Sequence, residues 1–392
     1  MRVPSGTRIP ARSSASKTPR ERGSSRRRVV FVSIVAIGLA ACGGTTAPSA
    51  PMTAGATTAG PTTAAATTSP TLAASQSQVA ATSAPSASTV PGWIAALGGR
   101  ILFTKEAGNP TTFTVMTMAP DGSDLRTVGA PSSTSIVHVV WGPDGRFTFD
   151  SDRTRPNQVF SMDAAGGDVR ALSVGPHGHG WPAVSRDGST VAFDDWIGPP
   201  DFGILLTRAD GSQSKPRTLT TSPDPAKGGD TQPAFSPDGK RVAFQRWIAT
   251  NPLDPKAVIA AIFVVGIDGK GLKQLTPYDM EAGLPRWSPD GSKILFTDHA
   301  DTMTASQSAN LWTVRPDGSG LAQLTRETGG NFAIEGSWSP DGSAIVFHSW
   351  FGSDPFTAIR VMKADGSEAT SVLTSVFAQG GAGEMPQWIP TR

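Results

Sequence analysis

Short apolar runs alternate with turn residues along most of the chain. Residues 287–291 read Trp-Ser-Pro-Asp-Gly and lead into the apolar run 294–296, and a further apolar run, 311–314, leads into a second Asp-Gly at 317–318. Side chains on a strand alternate between two faces, and Asp-Gly supplies the positive φ that tight hairpins need. Each such unit therefore predicts four short β-strands.

The unit recurs at a nearly constant spacing. Copies or variants of the first turn motif occupy residues 141–145, 184–188, 235–239, 287–291 and 338–342, with a partial copy at 388–390. The aspartates of the five complete copies are 43, 51, 52 and 51 residues apart. Four strands in a repeat of this length are typical of a β-propeller, and the number of copies predicts six blades.

The two ends of the repeat region complement each other. Residues 100–104 match the second strand of a unit and lack a preceding Trp strand, whereas residues 386–389 supply a Trp strand with nothing after it. One blade should therefore combine three N-terminal strands with one C-terminal strand, which removes the open sheet edge. The prediction is an all-β, six-bladed propeller of four-stranded blades over residues 93–392.

The Trp-Ser-Pro-Asp-Gly units resemble the PD40-type, WD40-like repeats of the TolB family. The similarity runs from about residue 99 to 392 and includes residues 149–153 (Phe-Asp-Ser-Asp-Arg) and 158–162 (Gln-Val-Phe-Ser-Met). It implies the propeller fold. Function does not follow, because this repeat occurs in periplasmic binding proteins, peptidase propellers and some lyases. The α/β domain that precedes the TolB propeller has no counterpart in this sequence.

The N-terminal 41 residues have the composition of an export signal. Adjacent arginines precede a twelve-residue apolar run, 29–40, which is short for a membrane span and suits a signal peptide. The run ends in Leu-Ala-Ala before Cys42, the single cysteine of the chain, and this resembles the bacterial lipobox. Cys42 would then carry lipid and anchor the protein to a cell membrane, in the periplasm or at the cell surface. The alternative is an ordinary signal peptide in which Cys42 is incidental.

Composition changes abruptly after the signal. Residues 42–92 consist largely of Ala, Thr, Ser and Pro, and no charged residue lies between Cys42 and Arg100. Such a segment buries too little apolar surface to fold, so a disordered linker is predicted.

Residues 1–41 hold nine of the 34 Lys and Arg residues and one acid, leaving 25 bases and 31 acids for the remainder. That mildly acidic body argues against nucleic acid as a partner.

Loop length varies on one face of the predicted propeller, where binding residues tend to collect. Aromatic and charged side chains on this face would suit an envelope protein, a peptide or a glycan. The alternative is that the tryptophans fill gaps between long loops. The ligand-face candidates are Trp181, Asp194, Asp195, Trp196, Arg246, Trp247, Asp298, His299, His348 and Trp350.

Acids and histidines also precede the predicted innermost strands, where they should surround the channel. They could attract a cationic group or hold a divalent cation, either calcium or a transition metal. The alternative is that they are solvated polar residues beside a water-filled channel. These channel-mouth or metal candidates are His138, His177, His179, Asp230, Glu281, Glu335 and Glu384.

Known hydrolytic and nucleotide-binding motifs are absent from the sequence. It contains no Gly-x-Ser-x-Gly, His-Glu-x-x-His, phosphate loop or dinucleotide fingerprint. The favoured interpretation is a non-catalytic, lipid-anchored, extracytoplasmic propeller that binds a protein or cell-envelope ligand, with no catalytic residue or cofactor assigned. The alternatives are a carbohydrate-active, lyase-like enzyme with a metal at the channel mouth, and a passive scaffold in an envelope complex.

Overall fold

A computed structural model describes most of the repeat region. The described residues are 90–107, 112–128, 136–195, 203–213, 215–224, 228–251, 257–300, 308–350, 357–374 and 383–390. The predicted signal peptide, Cys42 and nearly all of the predicted linker lie outside them. In the described part of the chain, none of the helices has the length and apolar character needed to cross a membrane.

The described secondary structure is almost entirely β. The two helical segments are α1 (Gly92–Ala95) and one 3-10 turn (Tyr278–Met280). In chain order the strands are β1 (Arg100–Ala107), β2 (Thr112–Met118), β3 (Arg126–Val128), β4 (Val137–Trp141), β5 (Arg146–Ser151), β6 (Gln158–Asp163), β7 (Arg170–Ala171), β8 (His179–Val184), β9 (Thr190–Asp195), β10 (Ile204–Arg208), β11 (Arg217–Thr218), β12 (Gly228–Phe235), β13 (Arg241–Ala249), β14 (Val258–Gly266), β15 (Lys273–Gln274), β16 (Gly283–Trp287), β17 (Ile294–Thr297), β18 (Leu311–Val314), β19 (Ala322–Gln323), β20 (Phe332–Trp338), β21 (Ala344–Trp350), β22 (Thr357–Lys363), β23 (Thr370–Thr374) and β24 (Gly383–Ile389).

These strands form six four-stranded antiparallel sheets, which confirms the predicted number of blades. Blade 1 has the order β24-β1-β2-β3, and blades 2 to 6 each contain four consecutive strands. The first strand of every blade contacts the first strands of both neighbouring blades, so these six strands surround a central channel. Ile101 of β1 pairs with Trp388 of β24, and the predicted closure by N- and C-terminal strands is therefore also confirmed.

Aromatic side chains pack the blades together. The second strand of every blade carries a phenylalanine that is at most 1% exposed. The first-strand tryptophans bridge blades, since Trp287 Nε1 donates to Ala234 O at 3.1 Å and Trp338 Nε1 donates to Arg286 O at 3.3 Å. Burial of one such side chain is worth about 1.5–3 kcal/mol, so the recurring aromatics account for much of the core. The six buried phenylalanines are Phe103, Phe149, Phe193, Phe244, Phe296 and Phe347.

The Ser-Pro-Asp-Gly element closes the turn between the first and second strands. In blade 5, Asp290 Oδ1 accepts hydrogen bonds from Ser288 Oγ at 2.6 Å and from Ser292 N at 3.0 Å. Gly291 takes a φ of 71°, a conformation that favours glycine. The Ser288 and Ser292 donors hold the pKa of Asp290 at about 2. The most recurrent motif of the sequence therefore stabilises a turn.

Candidate functional site

Each innermost strand contains one non-glycine residue with a left-handed backbone. This residue lies three positions before the first residue of the Trp-Ser-Pro-Asp-Gly motif or its variant. The pairing with the second strand shifts at the same place in every blade, which marks a β-bulge. Because the innermost strands border the channel, these residues form a ring around it, here called the bulge ring. Its members are His138, Trp181, Gln232, Leu284, Glu335 and Met385, with φ between 48° and 59°.

Side chains of the bulge ring link neighbouring blades. Gln232 Oε1 accepts a hydrogen bond from Leu284 N at 2.6 Å, and Glu335 Oε2 accepts one from Met385 N at 2.8 Å. Between blades 2 and 3 the link is a stack of the His138 and Trp181 rings, with centroids 3.7 Å apart and planes 21° apart. A left-handed backbone is uncommon for such residues, but its repetition in all six blades makes it a feature of the fold.

A second set of polar residues lies directly behind the bulge ring and is here called the polar ring. Each member follows the buried phenylalanine of a second strand, and all are at most 4% exposed. Gln245 Nε2 donates to Ala282 O of the next blade at 3.2 Å, and Thr297 Oγ1 accepts from Glu335 N at 3.3 Å. The members are Thr104, Asp150, Asp194, Gln245, Thr297 and His348.

Two acids of the polar ring lie near each other in blades 2 and 3. His138 Nδ1 is 2.7 Å from Asp150 Oδ1. Asp194 accepts hydrogen bonds from Gly180 N at 3.1 Å and from the Thr231 hydroxyl of the next blade. Burial raises the pKa of Asp194 to about 7, and the charge of Asp150 acts in the same direction. Asp194 is therefore partly protonated near neutral pH.

The opposite part of the channel wall carries a base and an acid. Arg286, on β16, is half-buried, and its guanidinium donates to Pro285 O at 2.9 Å. Glu335 belongs to the bulge ring, and its Oε2 is 3.5 Å from Nδ1 of the buried His348. Burial lowers the pKa of Arg286, while the negative charge of Glu335 partly compensates.

The two histidines around Gly178 take different partners. His179 Nδ1 is 2.9 Å from Gln158 Oε1, whereas His177 Nδ1 is 3.1 Å from Asp195 Oδ2. Burial and the nearby His177 lower the pKa of His179 to about 4, so His179 is neutral at physiological pH. The two imidazole rings therefore do not converge on a common cation site.

Asp230 and Arg246 form a buried ion pair across β12 and β13. The contacts are Nε–Oδ1 at 2.6 Å and Nη2–Oδ2 at 2.7 Å, which is bidentate geometry. The side chains are 0% and 7% exposed, and Arg246 Cζ lies 4.9 Å from the centre of the Phe263 ring. This pair fastens two strands of blade 4 to each other.

Most charged ligand-face candidates lie inside the fold. Five of them are at most 8% exposed. Four of the five lie on second strands that continue beyond the buried phenylalanine, and Asp298 directly follows the end of β17. Asp298 accepts from Asn310 N at 2.5 Å and from Trp312 Nε1 at 2.7 Å, and burial raises its pKa. The five are Asp194, Asp195, Arg246, Asp298 and His348.

The remaining candidates are more accessible. Trp181 and Trp247 are half-buried, and Trp350 stacks on Phe332 with ring centroids 5.7 Å apart. His299 Nδ1 is 3.2 Å from Glu281 Oε2. Trp196 and the side chain of Glu384 lie outside the described residues.

The metal candidates do not assemble into one site in the described ranges. There, no group of three or more His, Cys, Asp or Glu side chains is arranged to hold a metal ion. His138, Asp230 and Glu281 instead each have a separate charged or titratable partner. The metal-dependent lyase hypothesis therefore gains no set of ligands from this part of the chain.

Several channel residues escaped the sequence analysis. Gln232 belongs to the bulge ring, and Asp150 and Thr297 contact other members of it. Gln245 donates to Ala282 O of the next blade, and Arg286 lies on an innermost strand. One signal was present, since a polar residue follows the buried phenylalanine in all six units. The repetition of that position indicates a shared role that a single copy does not reveal.

The sheets and their repeats define a six-bladed β-propeller of PD40 repeats. Residues 210–391 match the family described as TolB beta propeller domain, PD40. This part of the propeller is therefore similar to the TolB β-propeller family. The fold of the described residues is similar to the crystal structure of TolB from Acinetobacter baumannii, with a TM-score of 0.56 and 20% identity over 75% of this chain and 67% of that one.

Curated relatives match shorter segments. An uncharacterized protein of Agrobacterium fabrum is 29% identical over 162 residues, which are 40% of this chain and 52% of the relative. A Tol-Pal system protein TolB of Anaeromyxobacter dehalogenans is 34% identical over 120 residues, or 27% of this chain and 25% of the relative. The chain thus spans about half, or less, of the length of these relatives.

Proposed function

We propose that this protein is a lipid-anchored, extracytoplasmic propeller that binds a protein or cell-envelope ligand at its channel and does not act as an enzyme. The observation that carries the proposal is the composition of the accessible channel wall. The half-buried His138–Trp181 stack lies on blades 2 and 3, and Arg286 and Glu335 lie on blades 5 and 6. An aromatic anchor and charged groups around one opening suit recognition of a peptide segment.

Trp181 has the properties of a binding anchor. Its backbone lies in the left-handed region, with φ 48°, and its ring stacks on His138 at 3.7 Å. Both constraints fix the indole before any ligand arrives, which lowers the entropy lost on binding. The ring nevertheless stays partly accessible.

Location is inferred from the N-terminus and the relatives. The apolar run before Cys42 and the Ala/Thr/Ser/Pro-rich linker suit a lipid-anchored protein outside the cytoplasm. The similarity to a Tol-Pal system TolB supports an envelope protein as the partner. A peptide or a glycan remains within the same proposal, since the channel wall offers both aromatic and hydrogen-bonding groups.

Photo-crosslinking tests the binding site. The full-length protein carries a photoreactive amino acid either at Trp181 or at Leu321, which is 43% exposed beside the outermost strand β19. After irradiation of native membranes, a specific adduct is expected from position 181 and not from position 321. An adduct competed away by unlabelled protein supports the proposal. Identical products from both positions, or none from position 181, would refute it.

The anchor has its own test. The Cys42→Ser variant should leave the membrane fraction and lose metabolic palmitate label, while the parent protein keeps both. A variant that stays in the membrane fraction after high-salt washing would refute the lipid anchor, whatever the crosslinking shows.

A further inference from the structure

Arg286 is a cation of the channel wall with an incomplete set of partners. It lies on the innermost strand β16, directly before the inter-blade Trp287. Its Nη1 donates to the neighbouring Pro285 O at 2.9 Å, and among the described residues it forms no ion pair. A guanidinium has five N–H donors, so most of them are available to water or to a ligand.

Blade closure does not explain an arginine at this position. In the next two blades the equivalent residues act as acceptors, with Ser337 Oγ receiving Trp388 N at 3.1 Å and Gln387 Oε1 receiving Trp141 N at 3.0 Å. Arginine has no acceptor atom and cannot form this inter-blade bond. Its charge therefore serves a purpose other than joining blades.

The neighbouring acid is engaged elsewhere. Glu335 Oε2 accepts from Met385 N at 2.8 Å and lies 3.5 Å from His348 Nδ1. Glu335 is thus oriented by its own partners and supports the charge of Arg286 only from a distance. Water can reach the half-buried Arg286, yet protein surrounds it, and burial lowers its pKa.

We propose that Arg286 binds a carboxylate of the ligand that enters the channel, either a peptide C-terminus or an acidic side chain. The inference rests on the proposed function, because it places that ligand in the same channel. The planar fork of a guanidinium matches a carboxylate in bidentate geometry. A phosphate dianion fits less well, because Glu335 and the acids of the polar ring already place negative charge around the opening.

Three acetylated peptides of glycine and serine test the proposal on the full-length protein in detergent. One has a free C-terminal carboxylate, one is amidated and neutral, and one is amidated with a single internal glutamate. Isothermal titration calorimetry should detect binding of at least one carboxylate peptide and none of the neutral one. The carboxylate peptide that binds more tightly identifies the source of the group.

Variants then assign the binding to one residue. Arg286→Gln should weaken carboxylate binding by roughly tenfold or more, since one charge-assisted contact is lost. The affinity of Arg286→Lys should lie between those of the parent and Arg286→Gln, because lysine keeps the positive charge and lacks the planar fork of the guanidinium. The matched control is Arg315→Gln, which removes an exposed arginine of a turn and should change nothing. Thermal denaturation establishes that each variant is folded.

Several outcomes would overturn the proposal. They are equal binding of the neutral peptide, no binding of either carboxylate peptide, and full binding by Arg286→Gln. Crosslinking from Trp181 is independent of this result. An adduct at position 181 without carboxylate binding removes the role of Arg286 alone, whereas carboxylate binding without an adduct removes the envelope partner alone.

Discussion

Leu284 donates its backbone N–H to Gln232 Oε1 across the boundary between blades 4 and 5, at 2.6 Å. Between blades 6 and 1 the same bond runs from Met385 N to Glu335 Oε2, at 2.8 Å. The donor in each case is a bulge residue with a left-handed backbone. One geometry therefore joins two pairs of blades, once through a neutral amide and once through a carboxylate.

Replacing Gln232 with methionine should destabilise the propeller. Gln232→Met keeps the side-chain volume but removes the acceptor of Leu284 N, and a buried donor left unpaired costs about 1–3 kcal/mol. Urea denaturation of the full-length chain measures the loss. Gln213→Met is the control, because Gln213 is only half-buried and bonds only to the nearby Lys215 O among the described residues. Equal stability of the parent and Gln232→Met would contradict this role.

Gly283 should not tolerate a side chain. A Cβ at this position would lie 2.6 Å from Gln245 Nε2 and 2.9 Å from Gln232 Oε1, where the two polar groups approach the innermost strand. Gly283→Ala should therefore lower the unfolding free energy by about 1–3 kcal/mol through overpacking. Gly98→Ala is the matched control, since no atom lies within 4 Å of its added Cβ. Similar melting temperatures for the two variants would exclude a steric role for Gly283.

The architecture could be predicted from the sequence, because repetition reports it many times over. Each copy of the turn element specifies the same hairpin, and the unmatched ends at β1 and β24 specify closure. The bulges could not be predicted in this way. A bulge shifts the pairing by one residue, so it changes which side chains face the channel without altering the apolar pattern.

The burial of the candidate site residues also could not be predicted from the hydrophobic pattern of the sequence. Asp194 and His348 follow a buried phenylalanine, where a loop was expected to begin. In the structure the strands continue through both residues, which are 1% and 3% exposed. A polar residue at a strand end gives the same sequence signal whether it faces solvent or a neighbouring blade. Its burial depends on the position of that neighbouring blade.

The Asp230–Arg246 pair should show strong coupling. Among the described residues, Arg246 is the charged side chain that pairs with the fully buried Asp230. Arg246→Met removes this partner, and breaking such a pair costs about 3–5 kcal/mol. The double variant Asp230→Asn/Arg246→Met should lose less than Arg246→Met, because no uncompensated carboxylate remains. A double-mutant cycle by urea denaturation measures the difference. Additive losses would show that the two residues act independently.

Asp194 should make stability depend on pH near neutrality. Burial raises its pKa from 3.8 to about 7 in the folded protein, so the folded state binds the proton more tightly than the unfolded state. The resulting stabilisation is fully present below about pH 4 and is lost as the pH rises through about 7. Asp194→Asn keeps an oxygen for Gly180 N and cannot ionise, so its stability should fall less between pH 5 and 8.

Urea denaturation at several pH values distinguishes this effect from the other titrating groups. The parent and Asp194→Asn share every other ionisable residue, including Asp150 and His138, so the difference between their curves isolates Asp194. Asp290→Asn provides the opposite case, because the pKa of Asp290 is about 2 and its charge is constant from pH 5 to 8. Its curve should run parallel to that of the parent. Parallel curves for Asp194→Asn and the parent would mean that Asp194 is ionised throughout this range, and that its buried surroundings tolerate the negative charge.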